Sequence, residues 1–107
     1  VTRESILESA AVCVLTDREK EHGSPEDTFG LTAELQSAYL NYISNKRLNT
    51  YISHGKFSPA DVAILNILQK ISRIANNPFN SDSWVDIAGY AACGGELAEK
   101  ERRSQKE

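Results

Sequence analysis

The chain has 107 residues, 25% of them charged and 40% hydrophobic, with a net charge of −3. That is enough for one modest core of ordinary soluble composition, and chains of this size often gain stability by pairing with copies of themselves, so a homo-oligomer is expected. The negative balance argues against a duplex nucleic-acid binder, and no apolar run reaches membrane-spanning length. With no leader-like segment before Val1, a cytosolic protein is expected.

The first helix is expected to open at "SILE", with Ser5 and Glu8 as a capping box and Ile6, Ala10, Cys13 and Val14 at helical spacing to about Thr16. The polar run "DREKEHG" follows, up to Gly23. Two near-identical phrases, "SPED" (24–27) and "SPAD" (58–61), each read as a helix start. Serine accepts an orphan N–H, proline fits the first helical position, and the acids complement the positive helix end. A second helix is therefore expected from Pro25 to about Ser44, with Phe29, Leu31, Leu35, Tyr39, Tyr42 and Ile43 as its apolar stripe. Residues 45–57, basic and aromatic without clear period, read as an irregular loop.

The third helix, 59–76, is apolar almost all round and is expected to be central and buried. "NNPFNS" breaks it, and a fourth helix follows over 81–99, weakened at Gly94-Gly95, before a frayed tail at 102–107. Helices three and four should form an antiparallel hairpin. The expected architecture is all-α: one four-helix domain spanning 1–107. Cys13 and Cys93 sit far apart in helical patterns, outside any CxxC or Cys/His ligand spacing, so buried free thiols are expected rather than zinc.

The polar positions of the third helix, Asn66, Lys70, Arg73 and Asn77, recur at four, three and four residues and share a stripe. Cations on a buried helix need partners. Asp82 and Asp86 of the fourth helix are the candidates, with Tyr90 continuing their face; Asp86 is expected opposite Arg73 and Tyr90 nearer Lys70. Two alternatives follow. A closed salt-bridge ladder would fix the hairpin register, whereas a part-open cluster would hold phosphates through Lys70 and Arg73. Arg18, Lys20 and His22 are a second polar cluster. Lys46, Arg47, Tyr51, His54 and Lys56 in the loop are a third, with the basic and aromatic mixture that stacks bases and binds phosphate. Glycine-rich phosphate loops, GxSxG and HExxH are absent.

"DREKEHGSPEDTFG", "AYL" and "SPADVAILNILQKISRIANNPFNSDSWVDIAGYAACGGE" together resemble a small phage-borne domain family of unknown function with the pattern R-E-x-x-Y-G-D-P-x-x-N-F, S-P-x-D-V-A, K-I-x-R, N-P and D-S-W-V-D-I-A-G-Y. His22 replaces the pattern's tyrosine, Thr28 its asparagine, and 45–57 is a longer connector. That family is distantly similar to the all-α nucleotide pyrophosphohydrolases of the MazG kind, which hold magnesium on an ExxE and an ExxD pair. On that likeness Asp86 matches the ExxD aspartate, Ser83 replaces its glutamate, Asp82 is one position off, and the preceding helix offers Asp61 but no ExxE.

The resemblance implies a protein of the bacterial host's cytoplasm that binds a nucleotide or nucleotide-derived signal, sequestering it against bacterial immunity, with no cofactor. Arg18, Lys20, His22, Lys70, Arg73, Asp86 and Tyr90 would line its site. The alternative is a magnesium-dependent nucleoside triphosphate pyrophosphohydrolase using Asp61, Asp82 and Asp86. A third reading is a structural or host-protein-binding module.

Overall fold

The computed structural model describes residues 1–15, 25–47 and 57–106. They form four helices: α1 (Arg3–Leu15), α2 (Pro25–Arg47), α3 (Pro59–Asn76) and α4 (Ser81–Lys106). No strand occurs among the described residues, and the fold is all-α as expected. Most of the expected 45–57 loop lies outside the described residues; its first three residues complete α2.

The helix starts follow from their capping chemistry. At α3, Ser58 Oγ accepts from the Asp61 N–H (3.1 Å) while Asp61 Oδ2 accepts from the Ser58 N–H (2.9 Å), with Pro59 in the first turn. At α4, Asn80 Oδ1 accepts from the Ser83 N–H (3.3 Å), and Asp82 adds negative charge to the positive end. The first helix departs from the expected Ser5/Glu8 box. Thr2 and Ser5 cap each other, Ser5 N–H to Thr2 Oγ1 (3.1 Å) and Thr2 N–H to Ser5 Oγ (2.9 Å). Threonine serves as N-cap here, and a serine hydroxyl reaches back as a glutamate would, so the helix begins earlier.

The tail also differs from expectation: α4 runs unbroken through Gly94-Gly95 to Lys106. Glu99 accepts from Arg102 Nε (2.9 Å) and Arg103 Nε (3.4 Å), and Lys100 lies 3.5 Å from Glu96, so ion pairs within the helix replace the missing apolar face. The Arg102 guanidinium holds the Glu99 carboxyl below its usual range, against a smaller opposing effect of desolvation and with help from Arg103. A lowered folded pKa stabilises above the ordinary carboxylate range and is lost as pH falls through the folded value. The last turns of α4 should therefore fray on acidification, and Glu99→Gln should remove that pH dependence, read from backbone chemical shifts of 99–106.

Helix α3 is central, packed against α2 on one flank and α4 on the other. The α2 seam is polar. Gln36 Nε2 donates to the Leu65 carbonyl (2.9 Å) and the Tyr39 hydroxyl to Asp61 Oδ1 (2.7 Å). Thr32 Oγ1 lies 2.8 Å from Ser72 Oγ, and each hydroxyl also reaches a carbonyl of its own helix, Thr28 (2.7 Å) and Leu68 (3.2 Å). With one proton per hydroxyl, the pair runs either from Thr32 through Ser72 to Leu68, or from Ser72 through Thr32 to Thr28. These pairings, 32 with 72, 36 with 65 and 39 with 61, set the helices antiparallel. The α4 seam is antiparallel too and close: a Cβ built on Gly94 would lie 2.8 Å from the Ala63 Cβ. Gly94, expected only to weaken its helix, is where the two helices approach.

Ala63 and Asp61, or Lys70 and Ser72, are about 160° to 200° apart around α3, at about 100° per residue, so the three helices lie side by side in one layer. The burial pattern corrects the expectation of a closed core. Thr28, Asp61, Ser72 and Ser83 are buried, but Ile43 and Ala63 are the only apolar side chains fully buried among the described residues. Helix α3 is central yet exposes Val62, Ile64 and Ile71; α1 is helical as expected, but all its residues are exposed. Cys13 and Cys93, expected to be buried, are free and exposed, since α1 buries no face and Cys93 points away from α3.

Candidate functional site: the polar face of the helical hairpin

The layer has two broad faces. Asn66, Gln69 and Arg73 fall on one side of α3 by their helical spacing. Because α4 runs antiparallel and both helices are right-handed, Asp82, Asp86 and Cys93 continue that same side. At its centre Lys70 Nζ meets Asp86 Oδ2 at 2.9 Å. The lysine side chain is 12% exposed and the aspartate 45%, so the pair is rooted in the seam and open at its outer end. The lysine, with little of its side chain in water, needs an anionic partner, whereas the half-exposed carboxylate gives up little when it turns to water.

This pairing corrects the expected register. Asp86 meets Lys70 rather than Arg73, and Arg73 stands level with Ser83. Tyr90, half-buried, stands level with Asn66 instead of Lys70. The hairpin turns about Pro78, the middle of the break, whereas the expected pairing of Arg73 with Asp86 would have centred it one to two residues further on. Asn77 Oδ1 accepts from the Phe79 N–H (3.2 Å), and Trp84 Nε1 donates to the Pro78 carbonyl (2.9 Å), pinning the connection. Trp84 is thus an anchor for the turn, though the residue stays 53% exposed.

Among the expected site residues, Lys70 and Asp86 come together, with Arg73 and Tyr90 one turn away on either side. Arg18, Lys20 and His22 lie outside the described residues, as do Tyr51, His54 and Lys56 of the loop cluster. The three aspartates of the magnesium alternative do not converge. Asp61 faces α2, its oxygens taken by Tyr39 and Ser58; Asp86 is taken by Lys70 on the opposite flank; Asp82 is exposed in the first turn of α4. No group of three His, Cys, Asp or Glu among the described residues is placed to share a metal ion. These three aspartates, so placed, do not offer the converging oxygens that magnesium, a small hard cation, needs.

Two features escaped the sequence reading. Ser83 is fully buried where Arg73 levels with α4, and its Oγ has no partner among the described residues. The Tyr39–Asp61 bond turns a helix-capping residue into a tertiary contact. The repeated "SPxD" phrase signalled the cap but not the tyrosine 22 positions earlier.

These features define an all-α protein built on a helical hairpin with a half-open ion pair on its polar face. The chain belongs to the family described as a domain of unknown function, DUF6378, which matches residues 5–98. It is similar to the Gene 55 protein of Mycobacterium phage D29, 38% identical over 90 residues that cover 84% of this chain and 51% of that protein. The Gene 55 protein of Mycobacterium phage L5 is 33% identical over 87 residues, covering 81% of this chain and 48% of its own. The chain thus spans about half the length of these relatives, and the match agrees with the resemblance to a phage-borne family. No solved structure matches. No described helix is long and apolar enough to cross a membrane.

Proposed function

We propose that the polar face binds a phosphorylated small molecule, a nucleotide or nucleotide-derived signal, and that the protein acts by holding this ligand rather than transforming it. The observation that supports this is the unequal ion pair: a mostly buried lysine held by a half-exposed aspartate. An incoming phosphate satisfies Lys70 in place of Asp86, and the carboxylate turns outward into water. Arg73, one turn along, presents the planar fork suited to phosphate oxygens, and Tyr90 offers a ring at the other end of the site. Sequestration of an immune signal in an infected bacterium is the role we assign to such binding, by analogy with the phage origin of the relatives.

A magnesium-dependent pyrophosphohydrolase of the MazG kind gains no support from the separated aspartates, since phosphoryl chemistry needs carboxylates converging on the metal. Isothermal titration of the protein with nucleoside mono-, di- and triphosphates and cyclic dinucleotides tests the proposal. Saturable heat with at least one of them, weakened about tenfold or more in Lys70→Met, is expected. A folded protein silent across the panel would sink the reading.

A further inference from the structure

One buried hydroxyl stands apart from the bonds that hold the fold. Asp61, Ser72 and Ser83 are each at most 1% exposed. Asp61 is bonded to the Tyr39 hydroxyl and the Ser58 N–H, and the Ser72 hydroxyl reaches the Leu68 carbonyl and Thr32. Ser83 Oγ has no hydrogen-bond partner among the described residues. A hydroxyl kept from water without a partner costs stability that an alanine in the same helix would not. We infer that Ser83 is a ligand contact, its hydroxyl acting with Lys70 and Arg73 as the third donor of a seat for a terminal phosphate monoester. This rests on the phosphate reading above and narrows its ligand.

The placement suits that role. Gly94 meets Ala63 and Asp86 meets Lys70, so residues 83, 87, 90 and 94, spaced four, three and four apart, run along the seam with α3. Ser83 is level with Arg73 and one turn before Asp86, a spacing that sets Cβ atoms about 5 to 6 Å apart. Side chains on a helix lean toward its N-terminus, so Asp86 lies over the turn that holds Ser83. When the carboxylate swings out to water, it frees Lys70 and uncovers Ser83 in one movement.

Charge decides which phosphate gains by this exchange. The ligand displaces a carboxylate of single negative charge that the fold already holds beside Lys70. A phosphodiester, as in a cyclic nucleotide, also carries a single charge, so it replaces Asp86 with no electrostatic gain. A terminal monoester carries about −1.5 to −2 charge at neutral pH and three strong acceptor oxygens. It therefore outcompetes the carboxylate and has an oxygen for each of Lys70, Arg73 and Ser83.

Titration calorimetry and thermal melts of wild type and Ser83→Ala test this. The ligands are nucleoside 5′-mono-, di- and triphosphates beside 3′,5′-cyclic nucleotides and cyclic dinucleotides. At least one 5′-phosphate is expected to bind the wild type tenfold or more tightly than its cyclic counterpart. Ser83→Ala should weaken that binding about tenfold, the scale of a lost hydrogen bond to a charged group, at a melting temperature equal to or above the wild type's. Unchanged affinity in Ser83→Ala overturns the inference, because the hydroxyl is then idle. So does a lower melting temperature, because the hydroxyl then belongs to the fold. Cyclic nucleotides bound as tightly as 5′-phosphates, or instead of them, overturn it too but leave the phosphate reading standing. A wild type silent across the panel overturns both.

Discussion

Replacing Asp61 with alanine should cost about 3 to 4 kcal/mol of folding free energy, a large share of what a domain of this size holds in reserve. Asp61 is buried, and its carboxylate joins two structures at once. It accepts the Ser58 N–H that opens α3 and the Tyr39 hydroxyl that arrives from α2. The Tyr39 bond, as a hydrogen bond to a charged group, is worth about 1.5 to 3 kcal/mol, and the lost cap at Ser58 adds about 1 kcal/mol. Alanine also removes the Tyr39–Asp61 bond that joins α2 to α3. Tyr39→Phe removes the same bond from its other end, so the two losses should be less than additive. Urea midpoints of the two single variants and the double variant measure the coupling. Additive losses would mean that Asp61 acts only as a local cap.

Gly94 should be the least replaceable glycine of α4. Alanine there gains about 1 kcal/mol of helix propensity but drives its Cβ against that of Ala63 at 2.8 Å, at an overpacking cost of about 1 to 3 kcal/mol. Gly94→Ala is thus expected to destabilise slightly, and Gly94→Leu by several kcal/mol as the hairpin is forced apart. A Cβ at Gly89 or Gly95 meets nothing within 4 Å, so alanine at either should stabilise by about 0.5 to 1 kcal/mol. Thermal melts of the four variants separate close approach from propensity. Equal gains at Gly94 and Gly95 would remove the close contact from the account.

The starts of α3 and α4 were legible because caps are local chemistry, whereas at α1 the reciprocal Thr2–Ser5 cap took the place of the expected Ser5/Glu8 box. Ser58, Pro59 and Asp61 announce α3 within four residues; the start of α4 at Ser81 was expected too, but its cap, Asn80, came from the structure. What the sequence concealed is tertiary. Composition gives no sign that Gly94 faces Ala63, since a glycine that weakens a helix and one that admits a neighbour look alike. The hairpin register slipped for a similar reason: the length of "NNPFN" permits several turns, and the Trp84–Pro78 bond that selects one is visible only in three dimensions. The all-round apolar pattern of α3 rightly placed it at the centre. It did not show that Val62, Ile64 and Ile71 stay exposed, because periodicity marks which residues are apolar and not how much of each a neighbouring helix covers. The candidate site was legible in its parts, Lys70 and Asp86, while their direct pairing and unequal burial came from the packing.

The central claim is that this ion pair opens to a phosphorylated ligand. It is tested most directly by titrating wild-type protein and the paired variant Lys70→Met with Asp86→Leu against the same nucleotide panel. Replacing both partners by apolar groups of similar size should leave the fold intact, and even firmer, because no buried charge is left alone. The account predicts saturable binding by the wild type and at least a tenfold loss in the double variant at an undiminished melting temperature. Equal affinity in the two proteins, or no binding by either, would contradict it and leave the pair as a closed structural bridge.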